Sequence, residues 1–454
     1  MVDVSELISI LLLRDYNTRL VVISTILLGV NCGLIGSFLL LRKRALMGDA
    51  LSHATLPGIG LAFILLTALG GTAKSVLGLV IGAAISGLIA TFAIGLIVRH
   101  TRIKQDAAMG IVLSVFYGFG VVLLSMIQSL PTGSAAGLES FIYGKTASIV
   151  WSDFQLLMLL LLLSLICFFM YFKELCLLCF DEAFASSQGL SLRKLDCLLL
   201  VLVTLVTVAG MMSVGLILII AFLVTPAAAA RMWTQRMRSL FIAAAIIGGL
   251  SGWLGACLSA ALPQLPPGAL IVLVATFFFI FSLVFGSEKG LLFRYFRSRV
   301  LRMRVGRQHL LRALYEILEA DSQLTHEGER LQSRPVPFRL IRGRRTWSDQ
   351  TLRQLIKKSM HDGLVRKASH LDPVQLTEEG FYQAARITRN HRLWELYLIE
   401  HADIAPNRVD QDADRVEHIL GLEMVQDLER KLDKKSPFDP VQLPASPHPI
   451  HPVN

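Results

Sequence analysis

Long, almost unbroken apolar runs fill the chain up to about residue 286, and beyond residue 294 apolar residues are interspersed with charges. Nine stretches read as candidate membrane spans: 20–41, 45–69, 76–98, 107–127, 156–172, 195–212, 214–230, 240–262 and 269–285. Crossing the hydrocarbon core takes about 20 mostly apolar residues in a helix. Lipid offers no partner for backbone amides, so each segment must pair its own, which selects helices. The sixth and seventh stretches are parted only by Ser213, so one of them is expected to be short or broken, and eight to ten spans is the range. From His309 the period becomes that of an amphipathic helix, with Leu310, Leu311, Leu314, Ile317 and Leu318 on one face. A second, basic helix is expected at 351–358, stopped by Gly363, with Leu364 and Val365 opening a short strand. After a polar turn, Gln375, Leu376 and Thr377 lead through Gly380 into a further helix. Helix, basic helix and a two-stranded wing make a winged helix-turn-helix. Pro335 and Pro337 fit poorly with a helix before the basic one, because proline removes an amide donor.

Composition sharpens the division. Of 454 residues, 54% are hydrophobic and 17% charged, too apolar for an ordinary soluble protein. Only 17 of the 44 Lys and Arg, and 12 of the 34 Asp and Glu, precede residue 291. Alternate loops hold Arg42, Lys43 and Arg44, then Arg99, Arg102 and Lys104, then Lys173, Arg193 and Lys194, then Arg231, Arg236 and Arg238. The opposite side has Arg14, Arg19, Lys74 and Lys145. The positive-inside bias puts the first set in the cytoplasm, and nine spans then give an outside N-terminus and a cytoplasmic C-terminus in the inner membrane. The first apolar run is long and lacks a basic leader, so it is expected to remain as a span rather than be removed as a signal peptide. All six cysteines lie in the apolar part; Cys176 and Cys179 form a lone CxxC beside a span, which supports neither a zinc ribbon nor a disulfide framework.

Ionisable residues inside an apolar span are costly and point to an aqueous or protein-lined interior. Asp49 and His53 lie four apart on one face of the second span, a carboxylate and an imidazole suited to a divalent first-row metal. The alternative is that Asp49 caps the helix at the interface near Arg42–Arg44. No phosphate-binding GxxxxGK[ST] loop occurs, so ATP hydrolysis is not expected from this chain. After the last span, Arg294, Arg297, Arg299, Arg302, Arg304, Arg307 and Arg312 form a basic stretch with anionic lipid as its first expected partner and nucleic acid as its second. In the tail, Arg353, Lys357 and Lys358 line the basic helix, with Arg344 and Arg345 just before it, as a major-groove reader requires. His391 and Glu395 again lie four apart; Asp410, Asp414 and Glu417 follow at helical spacing, with His418 adjacent. They form either a metal site of nitrogen and oxygen donors or a solvated acidic face.

The stretch 48–58, Gly-Asp-Ala-Leu-Ser-His-Ala-Thr-Leu-Pro-Gly, resembles the signature of the metal-type ABC permeases, which import manganese, zinc or iron. Residues 105–111 resemble that family's cytoplasmic entry to its next span, and 214–228 its late membrane motif; the likeness runs from 15 to 287. It implies that Asp49 and His53 line the translocation path. It also makes the loop with Asp181, Glu182, Ala183 and Gly189 similar to the coupling helix by which such permeases dock on an ATPase, where spacing alone allows an ordinary connecting helix. An ATPase subunit, an extracytoplasmic metal-binding protein and a second permease copy or paralogue are the implied partners.

From 309 to 452 the tail resembles the diphtheria-toxin-repressor family of iron- and manganese-dependent repressors, carried by 309–316, 376–380, 385–395, 413–418 and the ending 437–450. The likeness aligns His391, Glu395 and Asp410 with one metal site of that family and His309, Asp414, Glu417 and His418 with the other. It implies DNA binding and a tail homodimer. The expected organisation is an all-α polytopic membrane domain of about nine transmembrane helices at 1–290 and a basic linker at 291–308. A winged helix-turn-helix at 309–380 and a helical metal-binding and dimerisation domain at 381–454 follow. The expected function is permease for a divalent metal, Mn2+ or Fe2+ with Zn2+ as a further candidate, fused to a metal-dependent regulator. The alternative makes the tail an allosteric metal-sensing brake on transport. Oxygen-rich ligands and a tail without cysteine lean toward manganese or iron.

Overall fold

The computed structural model describes residues 15–69, 76–129, 146, 149–262, 265–324, 334–368, 373–402 and 427–428. Two compact units result, Met1–Arg294 and Tyr295–Asn454.

The first unit is all helix among the described residues. Its elements are α1 (Tyr16–Leu41), α2 (Met47–Ala54), α3 (Leu56–Ala68), α4 (Val76–His100), α5 (Gln105–Gln128), α6 (Trp151–Phe180), the short α7 (Glu182–Ser187), α8 (Leu192–Val214), α9 (Leu216–Arg231), α10 (Met237–Ala261) and α11 (Pro267–Phe285). Among the described residues eight helices are long and apolar enough to cross a membrane, with α2 and α3 together forming one of them. The ninth apolar stretch is α9, 16 residues long. The break expected beside Ser213 falls at Gly215, whose φ of +93° is strained for any residue with a Cβ.

Helix α1 runs through the middle of this unit, packed mainly against α10, α9 and α6. Lipid is as apolar as the helices, so association rests on close packing of small residues. Gly29 and Gly248 face each other so closely that a Cβ on either would lie 2.1–2.2 Å from the other's carbonyl oxygen. Phe38 fills the next layer, its ring centroid 5.0 Å from that of Phe168 and 4.4 Å from that of Phe241. Helices α4, α5, α6 and α11 form the rim and expose apolar side chains such as Phe92, Phe169 and Phe277, as a lipid-facing surface requires.

The second unit contains α12 (Leu291–Leu324) from Tyr295 onward, α13 (Phe338–Arg344), α14 (Asp349–His361), β1 (Val365–Lys367), β2 (Val374–Leu376) and α15 (Glu378–Ala402). The strands pair antiparallel, Val365 opposite Leu376, and Val336 adds a bridge to Val374. Leu310, Leu311, Leu314 and Leu318 of α12 pack with Ile341, Leu352, Leu355, Val365, Leu376 and Phe381 in one core. This is a winged helix. Pro337 precedes the first turn of α13 rather than interrupting it, the position at which a missing amide costs nothing, so the helix doubted at this point forms over seven residues. Ser348 caps α14 by accepting from the Thr351 amide at 3.2 Å. Gly363, at φ +73°, ends the turn after α14. The basic stretch is part of α12, and its last turns take part in the winged-helix packing. Met303 packs against the core, Gly306 abuts Leu355, and Arg307 pairs with Asp362 at 2.6 Å.

Candidate functional site

Helices α2 and α3 form one kinked segment. It breaks at Thr55, since Pro57 supplies no amide to the turn before it, and the Thr55 hydroxyl donates to the Ser52 carbonyl at 2.7 Å. Packing is tight throughout: from Met47 to Gly60 every residue is buried except Asp49 and His53. Those two meet, His53 Nε2 lying 3.4 Å from Asp49 Oδ1, with side chains 24% and 37% exposed. The edge of the His53 ring meets Tyr117 of α5, centroids 4.9 Å apart. Among the described residues His53 Nδ1 is buried with no hydrogen-bond partner. Asp49 does not cap α2; the cap position is Leu46 and no side chain bonds there. Nor do Arg42 and Arg44 reach Asp49; they pair elsewhere. An imidazole and a carboxylate thus share the one open strip of a buried segment, a nitrogen and oxygen donor pair that can receive and hand on a small cation.

At one end of the bundle, α7 is built by its caps. The Asp181 carboxylate accepts from the Phe184 amide at 2.8 Å, and Gly189, at φ +77°, turns the chain out of the helix. Ala185 is buried, while Asp181, Glu182, Ala183, Phe184 and Gly189 are all exposed. Sequence reasoning treated Arg42 and Arg44 only as markers of topology. The structure brings them together with Asp196 of α8: Arg44 Nη1 donates to both Asp196 oxygens at 2.7 and 3.0 Å, and Arg42 Nη2 lies 3.3 Å from Asp196 and 3.1 Å from Glu182. The available signal was Asp196 itself, the one acid in this helix, following Arg193 and Lys194 at its start.

In the second unit α14 buries Leu352, Leu355, Ile356 and Ser359 and exposes Arg353, Lys357 and Lys358. Arg353 lies over the Phe338 ring at 5.4 Å, and Lys358 Nζ lies 3.6 Å from Asp362. Arg344 and Arg345, at the end of α13, are half-buried. The hydrogen bond from Arg307 holds the Asp362 carboxyl below the usual aspartate range, with Lys358 adding to it.

His391 and Glu395 of α15 are 1% and 0% exposed, Nε2 and Oε1 lying 3.1 Å apart. Arg312 of α12 approaches from the other side, Nη1 being 2.8 Å from His391 Nδ1 and Nε 2.6 Å from Glu316. A guanidinium only donates, so Nδ1 accepts and the ring hydrogen of the neutral form sits on Nε2, toward Glu395. Arg392 pairs with both oxygens of Glu319. A buried imidazole and carboxylate fit a divalent metal as donors. His309 is half-buried on α12, and Asp410, Asp414, Glu417 and His418 lie outside the described residues. No group of three or more metal-ligating side chains forms among the described residues.

Comparison with known proteins matches residues 14–286 to the ABC 3 transport family and residues 377–441 to the iron dependent repressor, metal binding and dimerisation domain. The chain is 37% identical over 401 residues to the manganese transport system membrane protein MntC of Bacillus subtilis, covering 88% of each. It is 42% identical over 288 residues to the zinc transport system membrane protein TroC of Treponema pallidum, covering 63% of this chain and 95% of that one. The solved structure of PsaBC from Streptococcus pneumoniae in complex with Fab aligns with a TM-score of 0.55 at 32% identity, over 65% of this chain and all of that one.

Proposed function

The chain belongs to the ABC 3 transport family and carries the metal binding and dimerisation domain of iron dependent repressors at its end, and on that premise we propose that it is the permease subunit of an ATP-driven importer of a divalent metal, with the tail as a metal-dependent transcriptional regulator. The observation that carries the transport reading is the open strip of α2, where Asp49 and His53 alone break the burial of residues 47–60. Manganese is the first candidate substrate, and zinc and iron follow; nitrogen and oxygen donors accept all three, and geometry and supply decide among them. Twelve arginines and lysines in or near alternate loops support a cytoplasmic C-terminus and an outside N-terminus. Metal then arrives from an extracytoplasmic binding protein and passes Asp49 and His53, while a separate ATPase docks at α7 and a second permease copy or paralogue completes the pore.

The exposed basic face of α14, Arg353, Lys357 and Lys358 with Arg344 and Arg345 beside it, supports DNA as the partner of the tail. His391 and Glu395 would hold the regulatory metal with Asp410; His309, Asp414, Glu417 and His418 would form the second site. When bound, the metal supplies a cross-link between α15 and the residues after it, and the tail pairs as a homodimer.

The decisive experiment is uptake of radiolabelled manganese, zinc and iron by cells carrying the complete transporter. Saturable, energy-dependent uptake of one of them is expected; no uptake of any of the three would overturn the transport reading. A mobility shift with the tail, with and without manganese, tests the regulator: metal binding without DNA binding at low salt would favour a brake on transport instead.

A further inference from the structure

We propose that Asp196 is a positioning residue that locks the ATPase-docking helix α7 to the helix carrying Asp49 and His53; the proposal rests on the transport reading above. The linkage starts in the turn between α1 and α2. Arg42 and Arg44 flank Lys43, whose φ of +57° is uncommon for a residue with a side chain, and the Lys43, Arg44 and Met47 amides close the turn on Leu40, Leu39 and Arg44. Met47, three residues after Arg44, is the first residue of α2, and Asp49 follows in its first turn.

Each arginine points away from the path and toward α7 and α8. Arg42 donates to the carbonyl of Leu178, near the end of α6, at 2.9 Å and reaches Glu182, the first residue of α7, at 3.1 Å. Arg44 takes both oxygens of Asp196, and Arg42 shares one of them. One carboxylate therefore joins two guanidinium groups, and through them three chain segments. The arginine side chains are 9% and 14% exposed and Asp196 is 26% exposed, so the contacts with Asp196 are largely shielded from water, while Glu182 of α7 is 62% exposed. Holding charge there is costly unless the partners are fixed, and hydrogen bonds between a guanidinium and a carboxylate are about twice as strong as those between neutral groups.

Neighbouring residues provide an internal control. Arg99, Arg102 and Lys104 belong to the same basic set and stay exposed, which is all that topology asks of a loop cation. Helix α8 adds a second path to α2, because Met211 in its last turn touches Thr55 at the kink, Sδ lying 3.4 Å from Oγ1. Movement of α7 is thus passed to the start of α2 by Arg42 and to the Asp196 end of α8 by the shared carboxylate.

The test measures manganese uptake and ATP hydrolysis together in vesicles containing the complete transporter. Asp196→Asn keeps the size and removes the charge. Hydrolysis is expected to stay at the wild-type level while metal moved per ATP falls about tenfold, the factor that matches loss of a hydrogen bond between charged groups. The exchanged pair, Arg44→Asp with Asp196→Arg, is expected to recover most of that loss. Unchanged uptake per ATP in Asp196→Asn, or hydrolysis and uptake falling in proportion, would overturn the proposal. Should Asp196→Asn not assemble with its ATPase, Arg44→Gln decides, since it removes the charge that Asp196 holds; full coupling in that variant also overturns the proposal. Wild-type vesicles that hydrolyse ATP and move no metal would break the transport reading itself.

Discussion

The chain uses one arrangement twice, a histidine and a carboxylate one helical turn apart, and sets it in opposite surroundings. Asp49 and His53 lie 3.4 Å apart with side chains 37% and 24% exposed; His391 and Glu395 lie 3.1 Å apart and are sealed from solvent. Exposure suits a path, where a cation must be taken from water and given back, so affinity has to stay modest. Burial suits a sensor, where ions bound inside must be paired and the binding energy is converted into stability of the surrounding fold. The supports differ in kind as well. His53 has the Tyr117 ring beside it and a buried Nδ1 with no hydrogen-bond partner among the described residues, whereas His391 has the Arg312 guanidinium on Nδ1. On the proposed reading, the same pair of residues serves passage or retention according to what packs around it.

The comparison breaks first at the path. Asp49→Ala or His53→Ala is expected to reduce metal uptake about 100-fold, the upper end of what loss of a metal-site contact does, while the variant still assembles with its ATPase. Both side chains are part-exposed, so the folded permease should melt as the wild type does. Wild-type uptake by either variant would take the path reading away.

In the sensor the expected effect lies on stability. Manganese at about 100 times its dissociation constant should stabilise the tail by about 2.7 kcal/mol, and for a unit of this size that corresponds to roughly 5–10 °C in melting temperature. His391→Ala with Glu417→Ala should abolish the shift. Calorimetry of the tail with and without metal gives the answer, and identical melting temperatures for the unmutated tail would show that the buried pair is structural only. Glu395→Ala should further destabilise the metal-free tail by about 3 kcal/mol, as breaking a buried charged contact does, a penalty with no counterpart at Asp49.

A smaller effect is expected on the DNA face. Each phosphate contact releases counterions, so binding should weaken steeply with salt, and Lys357→Ala or Lys358→Ala should each reduce the slope of log affinity against log salt by about 1. An unchanged slope in both variants would remove α14 from the interface.

Much of this was legible in the residues. Apolar run length located the membrane helices, because lipid leaves the backbone no other solution, and the spacing of Leu310, Leu311, Leu314 and Leu318 located the first winged-helix element. The i,i+4 spacing marked both histidine–carboxylate pairs. Contacts distant in sequence were not legible. Nothing in Arg42 or Arg44 tells that they fold onto Asp196, some 150 residues later, nor in Arg312 that it reaches His391; long-range pairing is set by how helices pack, not by local spacing. Burial was equally hidden. Asp49 and His391 carry the same helical signature, and only packing tells an open strip from a sealed one. The prolines at 335 and 337 misled for a local reason: proline breaks a helix from inside and tolerates the position just before its first turn.

The smallest expected effect concerns where the second region begins. Arg307 comes two residues before the point at which amphipathic periodicity begins, yet its guanidinium donates to Asp362 at 2.6 Å, just beyond α14. That bond lowers the Asp362 pKa in the folded tail relative to the unfolded chain. A depressed carboxylate contributes stability that is present above the unfolded value, about pH 4 for an aspartate, and is lost as pH falls through the folded value. Asp362→Asn should therefore lower the tail's melting temperature slightly at neutral pH, and the gap to wild type should close below about pH 4. Arg307→Gln should behave alike, because it removes the other half of the same contact. The side chains are partly exposed, so salt should also narrow the gap. Thermal melts of the tail between neutral and acidic pH test this. A gap that persists unchanged at low pH would mean that the contact is incidental and that the regulator's packing begins at His309 rather than inside the basic stretch.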